Sequence, residues 1–294
     1  MRCDRCGREA VLFQRYSGLH LCGEHLLASV RTRALRRIRS RGRIKPGDRV
    51  AVALSGGGSS SSLLHLLSAG FGMRRDLSLV AVTVDEGGAA SRDLDRIGRI
   101  AAGMGIEWES LSLADEFGVA LEGIPGRCGL SCGECTGLRD RALATLAREV
   151  GGTKLALGTN LDDQAGSVLA RVLGGQAARL LDRAGMDGQE LPRIRPFLGI
   201  PEEELALYAS LNALDAQQGG CPHALSEAEQ EAGRILDEYR VRHPSAPFSL
   251  VSLGEALAGG RAAHRGGESG LQDGESSLPA RLLPGKHDVV TGRG

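Results

Sequence analysis

The run Val50-Ala51-Val52-Ala53-Leu54-Ser55-Gly56-Gly57-Gly58-Ser59-Ser60 decides the fold. Its first five residues are apolar without polar alternation, which describes a strand buried on both faces, as in a parallel sheet covered by helices. Glycine and serine then break the strand, and Leu63, Leu64, Leu66 and Leu67 follow at helical spacing. A strand, a glycine-rich turn and a helix in that order gather backbone N–H groups and a helix N-terminus around one point. That is a cradle for an anion, phosphate above all. Taken alone, a Gly/Ser stretch also fits a flexible linker, but a linker is not framed by a buried strand and an apolar helix.

Outward from this run the same alternation continues. Leu79-Val80-Ala81-Val82-Thr83-Val84 is a second buried strand, followed by a helix from about Leu94 to Met104 and a short strand near Trp108 to Leu113. A helix from Leu138 to Val150 precedes a fourth strand, Lys154-Leu155-Ala156-Leu157-Gly158, and a helix follows from about Asp162 to Leu173. The pattern predicts an α/β doubly wound parallel sheet over residues 49–200. Before it stand a compact cysteine-containing module (1–28) and a basic linker helix (29–48). After it comes a helical part (201–250), opened by Pro201 and the acidic Glu202, Glu203 and Glu204 that suit a helix N-terminus. Residues 251–294 drift to Gly, Ser and Arg with little periodicity and read as a disordered tail.

The 294 residues are 41% hydrophobic, enough for a core, and carry a formal net charge of zero. Whole-molecule attraction for a polyanion is therefore excluded, and any nucleic-acid binding must come from a local patch. No apolar stretch approaches the roughly 20 residues that span a bilayer, and Met1-Arg2-Cys3-Asp4 opens no signal-type segment, so the expectation is a cytosolic protein without a membrane partner. Seven cysteines in such a chain read as metal or catalytic residues rather than disulfides. They fall as Cys3, Cys6 and Cys22, then Cys128, Cys132 and Cys135, then Cys221 alone.

Cys3-x2-Cys6, fifteen residues, then Cys22-x2-His25 supplies two chelating pairs, the arrangement that tetrahedral zinc prefers. Four protein ligands leave no open position, which makes the predicted ion structural. Between Arg31 and Lys45 stand Arg33, Arg36, Arg37, Arg39, Arg41 and Arg43 without one carboxylate. On a helix Arg33, Arg36 and Arg37 share a face. Such a stripe suits RNA phosphates, although a solvated helix face accounts for it equally well. Asp162 and Asp163 open a helix at a strand end, where ligands of open α/β sheets bind. One of them fits catalysis and the other a helix N-terminal charge, with Asn160 as a cap.

Several motifs occur in one order: the Cys/His pairs, Ser55-Gly56-Gly57 with Ser60, Val82-Thr83-Val84-Asp85-Glu86-Gly87, Cys132-x2-Cys135, Gly158-x-Asn160-Leu161-Asp162-Asp163-Gln164-Ala165, Pro192-Arg193-Ile194-Arg195-Pro196 and Cys221-Pro222. In this order the chain resembles the archaeal and bacterial tRNA 2-thiolation enzymes of the thiouridine synthetase family, PP-loop ATP pyrophosphatases related to the cytosolic wobble-uridine thiolases of eukaryotes. The resemblance implies that ATP, with Mg²⁺, is bound by Ser55, Gly56, Gly57, Ser59 and Ser60 together with Thr83, Asp85 and Gly158. It implies adenylation of a tRNA uridine C2 oxygen followed by sulfur transfer, with Cys132, Cys135 and Cys221 holding a [4Fe–4S] cluster or working through persulfide or disulfide chemistry. A generic redox pair or zinc fragment is the alternative for Cys132 and Cys135, and Cys128 is an extra thiol without a role. Arg139 falls at a family position directed toward the site. Implied partners are tRNA, a ubiquitin-like sulfur carrier and a second copy of the chain.

The chain also departs from the family pattern. Gly58 and Ser59 stand where the loop normally carries Lys and Asp, Thr159 replaces a His, and no cysteine follows Cys221. Two readings follow: a working sulfurtransferase, or a catalytically impaired paralogue that keeps tRNA, nucleotide or cluster binding. An amidotransferase-like pyrophosphatase acting on a small molecule shares the loop but has no use for the zinc module or the distant cysteine set.

Overall fold

The computed structural model describes residues 1–42, 44–72, 74–87, 92–117, 132–176, 180, 191–215 and 227–265. Strands β1 (Leu12–Gln14) and β2 (Leu19–Leu21) form an antiparallel hairpin that sets Leu12 opposite Leu21. Cys22 ends the hairpin and is at the same time the N-cap of helix α1 (Gly23–Arg37), which runs on into one π-helical turn, Ile38–Gly42. The basic helix expected from residue 29 therefore begins at Gly23, and no linker separates it from the module. Leu12, Leu21, Leu26, Val30 and Ala34 are buried in the same cluster as the strand and helix residues of the main domain.

Strands β3 (Arg49–Ala53), β4 (Ser78–Asp85), β5 (Glu107–Ser112), β6 (Lys154–Ala156) and β7 (Arg193–Ile194) form one parallel sheet in the order β5-β4-β3-β6-β7. Val50 lies opposite Leu79 on one side and Lys154 on the other. Because side chains alternate across a strand, Val50 and Val52 join α1, α2 (Gly58–Phe71) and α3 (Leu94–Gly103) in one core. Ala51, Val80, Val82 and Val84 meet Leu113 of α4 (Leu113–Phe117) and Leu143, Leu146 and Ala147 of α5 (Cys132–Glu149) on the other face. The chain passes from β3 through β4 to β5 in one direction and returns to β6 on the far side of β3. That reversal opens a crevice between the carboxyl ends of β3 and β6, where such sheets place their ligands.

Helix α6 (Leu161–Leu173) follows β6, and α7 (Glu202–Leu211), α8 (Glu227–Arg240) and α9 (Ala246–Arg265) complete the described chain. Leu161, Ala165, Leu198, Leu236 and Val251 form a third cluster beneath them. The tail expected to be disordered from residue 251 thus begins as helix, and Val251 is buried. Among the described residues no helix is long and apolar enough to cross a membrane.

Two of the three arginines assigned to RNA also hold this architecture together. Arg33 donates to the Tyr16 hydroxyl at 2.9 Å and the Gly199 carbonyl at 3.2 Å, and pairs with Glu204, whose other oxygen accepts from Tyr16 at 2.6 Å. Glu204 is 1% exposed, so its charge depends on that guanidinium. Arg37 donates to the Arg195 carbonyl at 3.0 Å and pairs with Glu255 of α9. Only Arg36 of the three is exposed. Arg33→Ala is expected to cost about 3 kcal/mol in denaturant unfolding, because it leaves Glu204 buried without a counter-charge. Arg36→Ala is expected to change stability by less than about 0.5 kcal/mol; equal effects of the two would sink this assignment.

Candidate functional site

Ser60 organises the loop after β3. Its hydroxyl donates to the Gly57 carbonyl at 3.0 Å, accepts from the Ser55 backbone N–H at 3.1 Å and lies 3.0 Å from the Ser55 hydroxyl. Gly56 sits at φ +79°, a conformation that costs glycine little. Gly57 is the N-cap of α2 and offers no side chain, so the first-turn N–H groups of α2 carry no side-chain cap. Across the crevice, a Cβ on Gly158 would lie 3.2 Å from backbone atoms of Ser59 and Ser60. Glycine there lets the end of β6 close against the helix N-terminus.

The resulting cleft has a volume of about 360 Å³ and is lined by Ser55, Ser59, Ser60 and Gly158, with Arg92 and Arg139 on its wall and Asp163 at its edge. Its charge is arranged by Glu86, which is 2% exposed. Arg92 grips both Glu86 oxygens, at 2.7 and 2.6 Å, and donates to the carbonyls of Val84 at 2.9 Å and Ser55 at 3.1 Å. Arg139 approaches the same carboxylate to 3.6 Å. Two guanidinium groups against one carboxylate leave a surplus positive charge at this part of the wall, complementary to an oligophosphate. Glu86 and Arg92 were not assigned from sequence; the signal was an acidic residue at a strand end, which the Asp85-Glu86-Gly87 run contains.

Asp162 and Asp163 part company. Asn160 and Asp163 form a capping box, with the Asp163 N–H donating to Asn160 Oδ1 at 2.9 Å and the Asn160 N–H to Asp163 Oδ2 at 3.3 Å. Burial pushes the Asp163 carboxyl above the usual carboxylate range; the Asn160 N–H works against this and the Asp162 charge adds to it. Asp162 instead accepts from the Glu202 N–H at 2.6 Å and from Arg240 at 2.8 Å, and lines a separate depression with Pro201 and Glu203. Of the two, Asp163 lines the cleft and Asp162 does not.

Two assigned nucleotide residues also lie elsewhere. Thr83 is buried, donates to the Leu54 carbonyl at 2.7 Å and accepts from the Trp108 indole at 2.9 Å, so it ties strands together below the cleft. Asp85 accepts from the N–H groups of Gly87 and Arg92, each at 3.1 Å, and so fixes the backbone at both positions. Cys132 and Cys135 begin α5, about two turns and one turn before Arg139 respectively. Their side chains, and Cys128 and Cys221 entirely, lie outside the described residues.

The N-terminal ligand set is brought together. Cys3, Cys6, Cys22 and His25 place their ligand atoms within 4.8 Å of one another. Cys6 Sγ and Cys22 Sγ are 3.6 Å apart, and His25 Nδ1 is 3.5 Å from Cys3 Sγ and 3.3 Å from Cys22 Sγ. A tetrahedral ion with bonds of about 2.0 to 2.3 Å requires edges of about 3.3 to 3.8 Å, and these three separations fall in that range. Gly7 at φ +71° makes the turn after the first pair, and its N–H donates to the Cys3 carbonyl at 2.8 Å. Burial works to raise the Cys3 thiol, yet backbone N–H groups around it lower it to about 6, toward the thiolate that binds metal.

Compared with known proteins, residues 2–27 match the N-terminal LIM domain of 2-thiouridine synthetase TtuA, and residues 28–217 match a PP-loop domain. The chain is similar to tRNA 2-thiolation protein NcsA of Haloferax volcanii, 35% identical over 280 residues that cover 88% of this chain and 87% of that protein. It is similar to cytoplasmic tRNA 2-thiolation protein 1 of Bos taurus, 34% identical over 271 residues, 87% of this chain and 78% of that one. Among solved structures, it superposes on the U34-tRNA thiolase NcsA from Methanococcus maripaludis with its [4Fe-4S] cluster, at a TM-score of 0.79 and 26% identity over 88% of each chain.

Asp163→Asn is expected to leave the fold intact, whereas Asp162→Asn weakens the junction with α7 and α8 and lowers stability by about 1 to 2 kcal/mol. Because the Asp163 carboxyl is raised in the folded chain, its ionisation costs stability as pH rises. Asp163→Asn is therefore expected to melt above the wild type at neutral pH and level with it below about pH 4. A lower melting temperature for Asp163→Asn at neutral pH would reverse the sign. Elemental analysis is expected to find one zinc per chain at the N-terminal set, and its removal by a chelator to lower the melting temperature; a metal-free chain that melts unchanged would refute a structural ion.

Proposed function

The chain belongs to the PP-loop family of tRNA 2-thiolation proteins, and we propose that it is a tRNA-uridine 2-sulfurtransferase that adenylates a uridine C2 oxygen and then exchanges it for sulfur. The observation that carries this reading is one crevice that brings the uncapped first turn of α2 together with Arg92, Arg139 and Asp163. A uracil C2 oxygen is a poor leaving group until it is esterified. Its attack on the α-phosphorus of ATP forms the C2 adenylate and releases pyrophosphate. A sulfur nucleophile then adds at C2, the carbon–oxygen bond breaks and AMP departs.

Each part of the cleft has a place in that sequence. First-turn N–H groups of α2 and the hydroxyls of Ser59 and Ser60 would bind phosphate oxygens, and Arg139 would oppose the charge that develops on them. Asp163, its carboxyl raised by burial, would face the Mg²⁺ that accompanies the triphosphate or hold the proton lost from uridine. Gly58 and Ser59 lack the cation and the carboxylate that the family loop carries. In this reading Arg92 and Arg139 keep the cleft cationic, and nothing observed favours an impaired paralogue. Cys132, Cys135 and Cys221 are the proposed donors to an iron–sulfur cluster like that named for the Methanococcus maripaludis relative. When bound, a cluster held by three thiolates supplies one iron open to sulfide. A zinc ion at Cys3, Cys6, Cys22 and His25 would brace the hairpin, and the proposed assembly includes a homodimer and a sulfur-carrier protein with a C-terminal thiocarboxylate.

Mass spectrometry of tRNA nucleosides tests the proposal. Protein with its cluster reconstituted without oxygen is expected to form 2-thiouridine from ATP and sulfide, and a strain lacking the gene to lose that nucleoside. Absence of product together with an unchanged nucleoside profile would end the reading. Product that appears only in the Gly58→Lys, Ser59→Asp double variant would instead identify an impaired paralogue.

A further inference from the structure

Pro192-Arg193-Ile194-Arg195-Pro196 takes no part in the chemistry above, yet it concentrates positive charge at the outer edge of the sheet. A cavity of about 140 Å³ lies there, lined by Arg37, Arg193 and Arg195 together with Glu255. Among the described residues, the carboxylates nearby are engaged: Glu255 pairs with Arg37, and Asp140 accepts from Arg193 at 2.9 Å. The half-buried Arg195 guanidinium has no hydrogen-bond or ion-pair partner among the described residues. Burial and the charges of Arg193, Arg171 and Arg37 all disfavour its protonated form, with Asp140 alone opposing them. A partly desolvated cation beside three like charges is costly for the fold by itself and favourable only with an anion in place.

The cavity is well below the roughly 300 Å³ at which pockets hold a drug-sized ligand, so it suits a single phosphate rather than a nucleotide. Its position is the second argument. An adjoining depression of about 250 Å³ shares Arg37 and Pro196 with it and adds the exposed Arg36 and Ser40. On the other side, Asp140 bonded to Arg193 also lines the nucleotide cleft beside Arg139. Cationic groups thus run from the basic end of α1, past β7, to the cleft.

We propose that the cavity of Arg37, Arg193 and Arg195 binds one phosphodiester of the tRNA backbone, a fixed point on a track that leads from Arg36 to the nucleotide cleft. The identity of the RNA rests on the tRNA-thiolation reading; the anion site does not. Phosphate contacts of this kind set register and orientation without reading bases.

The test is tRNA binding by the full chain between 50 and 200 mM salt, for wild type, Arg195→Ala and Arg195→Lys, with ATP and inorganic pyrophosphate binding measured alongside. Arg195→Ala is expected to weaken tRNA binding about tenfold and to flatten the plot of log affinity against log salt by about one unit. Arg195→Lys is expected to keep the wild-type slope and recover only part of the affinity, since an ammonium lacks the guanidinium fork. ATP and pyrophosphate binding should not change. Unaltered tRNA affinity and slope in folded Arg195→Ala overturns the proposal, as does a loss confined to ATP or pyrophosphate. If Arg195→Ala does not fold, Arg195→Lys decides: wild-type affinity in it refutes a forked phosphate contact. A wild type that binds tRNA in an Arg195-dependent way but forms no 2-thiouridine defeats the thiolation reading and leaves the site standing; thiolation with Arg195-independent binding does the opposite.

Discussion

Glu86 stands at the carboxyl end of β4 with its carboxylate almost entirely withdrawn from water, where a charge is tolerated only if it is gripped from several sides. Arg92 takes both oxygens and reaches the carbonyls of Val84 and Ser55, so one guanidinium binds the end of β4 to the loop after β3. Arg139 brings α5 to the same carboxylate. Three separate segments of the cleft are thereby referred to one anion. The two guanidinium groups face the crevice because Glu86 holds them there, and Asp85 fixes the backbone of Arg92 beside it.

Much of this was readable in advance, for identifiable reasons. Strands of a parallel sheet are buried on both faces, so β3 and β4 stand out as unbroken apolar runs. A tetrahedral ion imposes ligand spacing, so Cys3, Cys6, Cys22 and His25 can be picked out locally. The start of α1 was hidden because Cys22 belongs both to the Cys/His set and, as helix cap, to α1. Arg33 and Arg37 look alike in a basic run, and their partners Glu204 and Glu255 lie 171 and 218 residues away. No local pattern carries such pairings. Thr83 could have been excluded by parity, since the cleft is lined by Val82 and Val84 on the α5 face of β4 and alternate residues point the other way. Adjacent Asp162 and Asp163 differ only through tertiary partners.

The serine run that opens α2 departs from ordinary core design. Ser60 closes the loop, whereas the Ser61 and Ser62 hydroxyls are buried without a hydrogen-bond partner among the described residues. An unsatisfied buried hydroxyl costs about 1 to 3 kcal/mol. Such departures from packing rules are expected beside functional loops and are offset elsewhere in the fold. Here the neighbouring Leu63, Leu64, Leu66 and Leu67, all fully or nearly fully buried, supply apolar contact on the same helix.

The bond between Tyr16 and Glu204 spans 188 positions of the chain, and the Arg33 pair with the same carboxylate spans 171. During synthesis at about 5 to 20 residues per second, the hairpin and α1 leave the ribosome on the order of ten seconds or more before Glu204 exists. The amino-terminal module can gather its own ligands in that interval, yet it waits as an unfinished half of a joint whose other half is translated late. Assembly of this protein is thus constrained by the chain itself: the joint between the amino-terminal module and α7 can close only after α7 has been made.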